Sequence, residues 1–363
     1  RYVRKVDLTC SLPKRVIAPS SSHDGFLMSK IPLLSHDPLP VVIVGGGPAG
    51  VSCALWCKNL GLKPTILESR SRLGGTPRTI QRPNRWIAGR PNLMSSNIAE
   101  ELDSHCKALN IPQVTSVQSI EAKKNTAFSF QVEAETATTT WSSEASAIVV
   151  ATGLKPRGRE FFDFLLPAEF DPYIDTSPLG HLTGRDSHEG ERSLVVGGAD
   201  NAFFTAADLV ESGAKVTLAC RSLPKAQSSI QATIKNLTSE SRVNSLLGTL
   251  VGASIESDGI RIHLKTDSEI KTTLVDMIYL RAGFEPDWTH MISFVKNHGL
   301  DLYDNKYPIC DTDGRWSSNG ISSTGIYCAG DLLPSGPAAV VTALANGALV
   351  AKTIEKDLRT VLR

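Results

Sequence analysis

A short β-branched run that ends in a glycine-spaced turn and re-enters as a helix restricts this 363-residue chain more than any other feature. Val41-Val42-Ile43-Val44 leads into Gly45-Gly46-Gly47-Pro48-Ala49-Gly50. A helix-like stretch follows from Val51 to Leu60, then a second strand from Thr65 to Glu68. Strand, Gly-x-Gly-x-x-Gly, helix, strand and closing acid form a βαβ unit of the dinucleotide-binding type. Gly45 permits the tight turn, Gly47 lets the backbone approach a pyrophosphate, and Gly50 allows close helix packing. The helix N-terminus, with Pro48 and Ala49, then faces the phosphates. Glu68 lies 18 residues past Gly50, where its carboxylate would accept from both ribose hydroxyls and repel a 2′-phosphate. A glycine turn without a ligand is the competing account, and the ordered context argues against it.

The unit recurs. Ser193-Leu194-Val195-Val196, the turn Gly197-Gly198-Ala199-Asp200-Asn201-Ala202, a helix to about Gly213 and the strand Lys215 to Cys220 form a diverged repeat displaced by 152 residues. The second turn reads Gly-x-Ala-x-x-Ala. A Cβ at Ala199 crowds a pyrophosphate, which leaves open a turn that binds no nucleotide. From first glycine to strand end is 23 residues in both halves, so Cys220 stands where Glu68 stands in the first. With no carboxylate there, and with Arg221 and Lys225 just beyond, the site is expected to take NADPH over NADH. The contacts are expected from Gly198, Asp200, Asn201, Arg221 and Lys225. Arg221 as an ordinary solvated strand-end charge is the alternative.

Composition mainly excludes. A chain of this length suits two cores. Its 38 Lys and Arg against 37 Asp and Glu give no electrostatic reason to expect nucleic acid or an anionic membrane as partner. No apolar run approaches the roughly 20 residues of a membrane-spanning helix. The seven cysteines are scattered, odd in number and never two residues apart, which points to a reducing, cytoplasmic setting. Cys53 and Cys57, one helical turn apart, read as small buried side chains on a helix face. The eight histidines do not cluster at ligand spacing, so no metal site is expected.

Four segments taken together, namely Gly45 to Gly50, the Glu-x5-Gly-Gly run from Glu68 to Gly75, Ala151-Thr152-Gly153, and Gly325-Ile326-Tyr327-Cys328-Ala329-Gly330-Asp331, resemble the FAD domain of thioredoxin-reductase-like flavoproteins. The likeness spans about residues 41–363. It implies an α/β fold of two Rossmann-like, three-layer dinucleotide-binding domains, the NADP domain inserted in the FAD domain. The expected parts are an extended arm over 1–40, FAD-binding segments over 41–157 and 282–363, and an NAD(P)-binding segment over 158–281. It further implies FAD contacts from Gly75, Thr76, Ala151, Gly153, Gly330 and Asp331, with Ala339 and Val340 against the flavin ring, and a homodimer.

Disulfide-reducing members of that family carry a Cys-x-x-Cys ahead of the second turn. Here Phe170 to His181 contains no cysteine, and the bacillithiol-type cysteine beside the first turn is Ala49. The resemblance therefore implies NADPH-to-flavin hydride transfer, with electrons passed to a small molecule or an electron-carrier protein without a disulfide relay, as in ferredoxin or flavodoxin NADP reductases. Two alternatives stand beside it: a flavin oxidase or monooxygenase, and a flavin-holding interaction protein without turnover. No catalytic residue is assigned. Tyr173, Asp175 and His181 are candidate proton donors near the flavin, against their reading as loop residues. Arg78, Arg82, Arg85 and Arg90, interleaved with Trp86, are a candidate grip on an anionic substrate or acidic carrier, against their reading as a solvated loop.

Overall fold

The computed structural model describes residues 38–162, 166–182, 187–304, 306–333 and 336–361. The arm expected over residues 1–40 lies outside them up to residue 37. Val41 to Val44 form part of the strand Pro40–Val44, which sits inside a sheet ordered Arg315–Ser318, Ile321–Cys328, Ala147–Val150, Pro40–Val44, Lys63–Leu67, Gln113–Val114. All neighbours are parallel except the first pair. A strand covered on both faces needs apolar residues at every position, because successive side chains point to opposite sides. Val41 and Ile43 accordingly join a core under the helices Pro48–Asn59 and Val340–Val361. Val42 and Val44 join another with Phe130, Val132 and Ala134 of an antiparallel meander. That meander is Val117–Thr126, Ser129–Thr136 and Thr140–Ala145. Helices, sheet and meander make three layers.

The second repeat builds the same layers. Its all-parallel sheet runs Val243–Leu247, Lys215–Cys220, Arg192–Val196, Met277–Leu280, Ile174–Asp175. Val195, Val216 and Leu218 pack beneath the helices Asp200–Glu211 and Ser228–Ser239. Leu194, Val196 and Ile278 pack on a second meander carrying Ile260, Ile262 and Leu264. The chain leaves the first sheet through Leu154–Pro156 and returns through Phe284–Pro286, and these two crossovers pair antiparallel. Two Rossmann-like units in one α/β chain are what the repeated glycine turns imply. Cys53 and Cys57 are buried with their sulfurs 4.0 Å apart. Among the described residues, no helix is long and apolar enough to cross a membrane.

Candidate functional site

A parallel strand followed by a helix leaves its ligand-facing turn at the carboxyl edge of the sheet. There the first sheet opens a cavity of about 360 Å³. Of the residues proposed from the sequence for the first site, Gly45, Gly47, Pro48, Ala49, Glu68, Gly75, Thr76, Ala151, Gly153, Gly330, Asp331, Ala339 and Val340 line it. Gly50 lies beneath the turn, where a Cβ would meet the Gly45 carbonyl oxygen at 1.9 Å.

Two observations test whether FAD fits. A Cβ on Gly47 would have its nearest protein atom, the Gly75 Cα, 3.8 Å away, so the missing side chain leaves open space above the turn. Gly75 has φ +59°, and a Cβ there would meet the Gly47 Cα at 2.8 Å. The two backbones close one side of a cradle that a side chain would fill. In addition, Thr152 lines the cavity, and its Oγ1 is buried with no hydrogen-bond partner among the described residues. A buried hydroxyl left unpaired is costly, and a polar ligand atom would satisfy it. These features fit the pyrophosphate and ribityl parts of a dinucleotide.

Glu68 is buried, and its carboxylate braces the turn. The Gly46 N–H donates to Oε2 at 2.7 Å and the Arg70 N–H to Oε1 at 2.9 Å. Oε1 also accepts from the Ser69 hydroxyl at 3.3 Å, whereas Oε2 carries the Gly46 bond alone and keeps capacity for a ribose hydroxyl. Asp331 lies in the segment before the last helix, which begins at Val340. Burial raises its carboxyl above the ordinary carboxylate value.

The second turn is built alike and finished differently. Cys220, in the place of Glu68, donates its thiol to the Gly197 carbonyl at 3.2 Å. Lys225 is tied to the turn through its backbone, whose N–H donates to the Gly198 carbonyl at 2.7 Å. Ala199 caps the helix Asp200–Glu211 in extended conformation. Asp200 turns its carboxylate onto Gln227, accepting from the backbone N–H at Oδ1 and from Nε2 at Oδ2, both at 2.6 Å. The Asn201 backbone enters the first turn of that helix. Arg221 and Lys225 are exposed at the strand end with no carboxylate between them. That donor set, cationic with the acid removed, fits the 2′-phosphate of NADPH.

The remaining candidates are placed elsewhere. Tyr173, Asp175 and His181 do not line the cavity. His181 is buried and its Nε2 meets Asp208 Oδ2 at 2.8 Å. Asp175 accepts from the Ser177 N–H at 2.7 Å and stands 3.6 Å from the Arg281 guanidinium. Of the four arginines, Arg78 pairs with Glu100, Arg82 with Asp208, and Arg90 with Glu101. Arg85 is exposed and has no ion pair among the described residues. The basic stretch is mostly internal wiring, although its Asn84 and Trp86 do line the cavity. Trp86 was named from the sequence as part of that stretch, whereas sequence reasoning missed Asn84, Thr152 and His290. Thr152 stood inside a quoted Ala-Thr-Gly triplet, whereas His290 carried no signal before the fold brought it in. Among the described residues, no group of three or more His, Cys, Asp or Glu side chains is placed to hold a metal.

Residues 39–347 match the family model described as pyridine nucleotide-disulphide oxidoreductase. Among curated proteins, a ferredoxin--NADP reductase of Ignicoccus hospitalis is 24% identical over 330 residues, covering 88% of this chain and 98% of that protein. One from Streptococcus pneumoniae is 26% identical over 306 residues, covering 80% and 85%. Among solved structures, thioredoxin reductase of Lactococcus lactis superposes with a TM-score of 0.72 at 21% identity, over 89% of this chain and 99% of that one. The bacillithiol disulfide reductase of Bacillus cereus gives 0.69 at 18% identity, over 88% and 99%.

Proposed function

Because this chain belongs to the pyridine nucleotide-disulphide oxidoreductase family and is an FAD-dependent NAD(P)H oxidoreductase, we propose that it moves electrons from NADPH to an electron-carrier protein of the ferredoxin or flavodoxin kind, without a disulfide relay. The chemistry that bound FAD would supply is acceptance of a hydride from NADPH and one- or two-electron transfer onward.

The residues divide the remaining work. The turn at Gly47 and the backbone at Gly75 leave room for the pyrophosphate, and the helix starting at Pro48 supplies N–H groups and a favourable dipole there. Glu68 holds the turn and excludes a 2′-phosphate from the first site, while Arg221 and Lys225 favour one at the second. Asp331 lines the cavity and would hold the ribityl chain, and Asn84 and Trp86 border the same cavity.

The observation that carries the reading is the cavity lining, which holds no thiol. No cysteine occurs anywhere between Cys106 and Cys220, the span that precedes the second turn. A relay of two thiols thus has no place to stand, and the flavin edge is left as the exit. The names of the curated relatives support the acceptor class. A reducing, cytoplasmic setting agrees with the unbonded pair Cys53 and Cys57. The homodimer implied by the resemblance is open to test by sedimentation.

One feature favours a rival. The Ala199 methyl sits where a pyrophosphate wants glycine, as it would in a flavin oxidase or monooxygenase reduced by its own substrate. Anaerobic titration of the FAD-loaded protein with NADPH and with NADH, followed by the visible absorbance of the flavin, decides. Bleaching by NADPH and reoxidation by added ferredoxin are expected. A flavin that stays yellow under both nucleotides would overturn the proposal and favour the rival.

A further inference from the structure

The 2′-phosphate grip assigned to Arg221 depends on where a long, exposed side chain is held. Arg221 follows the strand Lys215–Cys220 and has no carboxylate partner among the described residues. What lies against it is aromatic. Its guanidinium carbon sits over the Phe161 ring, 5.4 Å from the centroid. Phe161 does not belong to the second nucleotide unit's sheet or helices. It closes the short turn Arg159–Phe161, just past the crossover strand Leu154–Pro156.

The ring has a firm base. The Phe161 N–H donates to the Gly158 carbonyl at 3.0 Å, and the Phe162 N–H to the Arg159 carbonyl at 3.1 Å. Phe161 meets the neighbouring Phe162 ring edge-on at 5.9 Å and 70°. Phe162 is buried in the core with Leu194, Val196 and Ala219, the residues beneath the second turn.

We propose that Phe161 is a specificity-determining positioning residue: its ring fixes the Arg221 guanidinium so that the N–H edge stays turned out to the 2′-phosphate of NADPH. The inference rests on the NADPH reading of the second site. A planar guanidinium carried on a ring gives up its rotamer freedom before the ligand arrives, so less is lost on binding. The ring face also replaces a carboxylate as neighbour. A carboxylate would compete with the phosphate for the same N–H groups, whereas an aromatic face attracts the cation and leaves those donors free. An arginine standing alone at a strand end would have neither advantage.

The test uses the FAD-loaded full chain and calorimetric binding of two probes, 2′,5′-ADP and 5′-AMP, which differ in the phosphate at issue. Phe161→Leu is expected to weaken 2′,5′-ADP by about two- to fivefold, the size of an exposed cation–π contact, and to leave 5′-AMP unchanged. Phe161→Tyr should restore wild-type binding. Phe161→Met, also apolar and without a ring, serves should the leucine variant melt early. Equal weakening of both probes, or of neither, overturns the proposal. Arg221→Gln separates the two levels. Loss of 2′,5′-ADP preference in that variant, with Phe161→Leu silent, sinks the role of Phe161 alone. An Arg221→Gln variant that keeps the preference sinks the phosphate reading and the platform with it.

Discussion

Gly47 and Gly50 are three residues apart in one turn, and their substitutions should fail in different ways. A methyl on Gly47 enters the open cradle, with no protein atom nearer than 3.8 Å, while one on Gly50 lands 1.9 Å from the Gly45 carbonyl oxygen. Gly47→Ala should therefore fold with stability within about 0.5 kcal/mol of wild type and purify without FAD. Gly50→Ala should lose the fold around the turn, and a melt with flavin quantitation distinguishes them. The second turn allows the reverse experiment, since Ala199 already carries the methyl. Ala199→Gly should tighten NADP+ binding severalfold at no cost in stability, because glycine is no worse than alanine at a helix N-cap; unchanged calorimetric affinity would show that the methyl is not in the way. Asp331 adds a pH signature. Its raised carboxyl binds a proton more tightly folded than unfolded, so the burial penalty is absent in acid and grows as pH rises through the raised value. The FAD-free Asp331→Asn variant should then melt above FAD-free wild type at neutral pH and above, the gap closing as pH falls to the ordinary Asp value of about 3.9. Glycine spacing and Glu68 were legible at this scale because each answers a fixed backbone need. The orphaned hydroxyl of Thr152 was not, since burial and pairing are properties of the folded surroundings.

The helix Asp200–Glu211 shows what an element adds beyond its residues. Its inner face, with Ala202, Ala206 and Leu209, packs on the second sheet, a pattern that follows from helical periodicity. Its other face carries Phe204 and Asp208, one turn apart, and receives Arg82 from the loop beyond Gly75, ion-paired to Asp208 and 5.1 Å over the Phe204 ring. That contact joins residues 126 positions apart, and nothing local in either segment announces it; four arginines spaced between residues 78 and 90 looked like a solvated or ligand-gripping loop. His181 completes the group through its bond to Asp208. Burial, then the positive charges of Arg281 and Arg82, push the imidazole down to about 3. The nearby Asp208 would by itself favour a protonated ring. It is already paired with Arg82, however, and His181 Nδ1 is buried with no hydrogen-bond partner among the described residues, so the neutral form wins. A base with a depressed folded pKa stabilises above its unfolded value and loses that contribution as pH falls, here from about 6.5 toward about 3. His181→Gln cannot titrate, and its urea midpoint should fall less steeply than wild type across this window. Asp208→Ala leaves Arg82 and His181 without their acceptor and should cost about 1–3 kcal/mol, read from the same denaturation curves.

At the scale of the molecule, the two sheets were legible because both begin with a β-branched strand and a glycine turn that few other arrangements use. The paired crossovers Leu154–Pro156 and Phe284–Pro286 were not, since three-residue strands carry almost no periodic signal. What the whole chain lacks is as consequential as what it repeats. Electron exit through thiols needs an accessible thiolate beside a second sulfur near the flavin. Cys53, Cys57, Cys106, Cys220 and Cys328 are buried, and burial drives the Cys106 thiol up to about 12 and raises that of Cys220. None of these five lines the cavity, and neither does the part-exposed Cys310. Alkylation of the native FAD-loaded protein with iodoacetamide should therefore reach few positions and leave NADPH-dependent ferredoxin reduction within about twofold of the untreated rate. A disulfide reductase treated after reduction by NADPH would instead lose its turnover, because reduction exposes the attacking thiolate. Performing the alkylation both before and after NADPH addition makes the comparison internal. Inactivation confined to the reduced sample would mean that a thiol pair does carry electrons and that the flavin edge is not the exit.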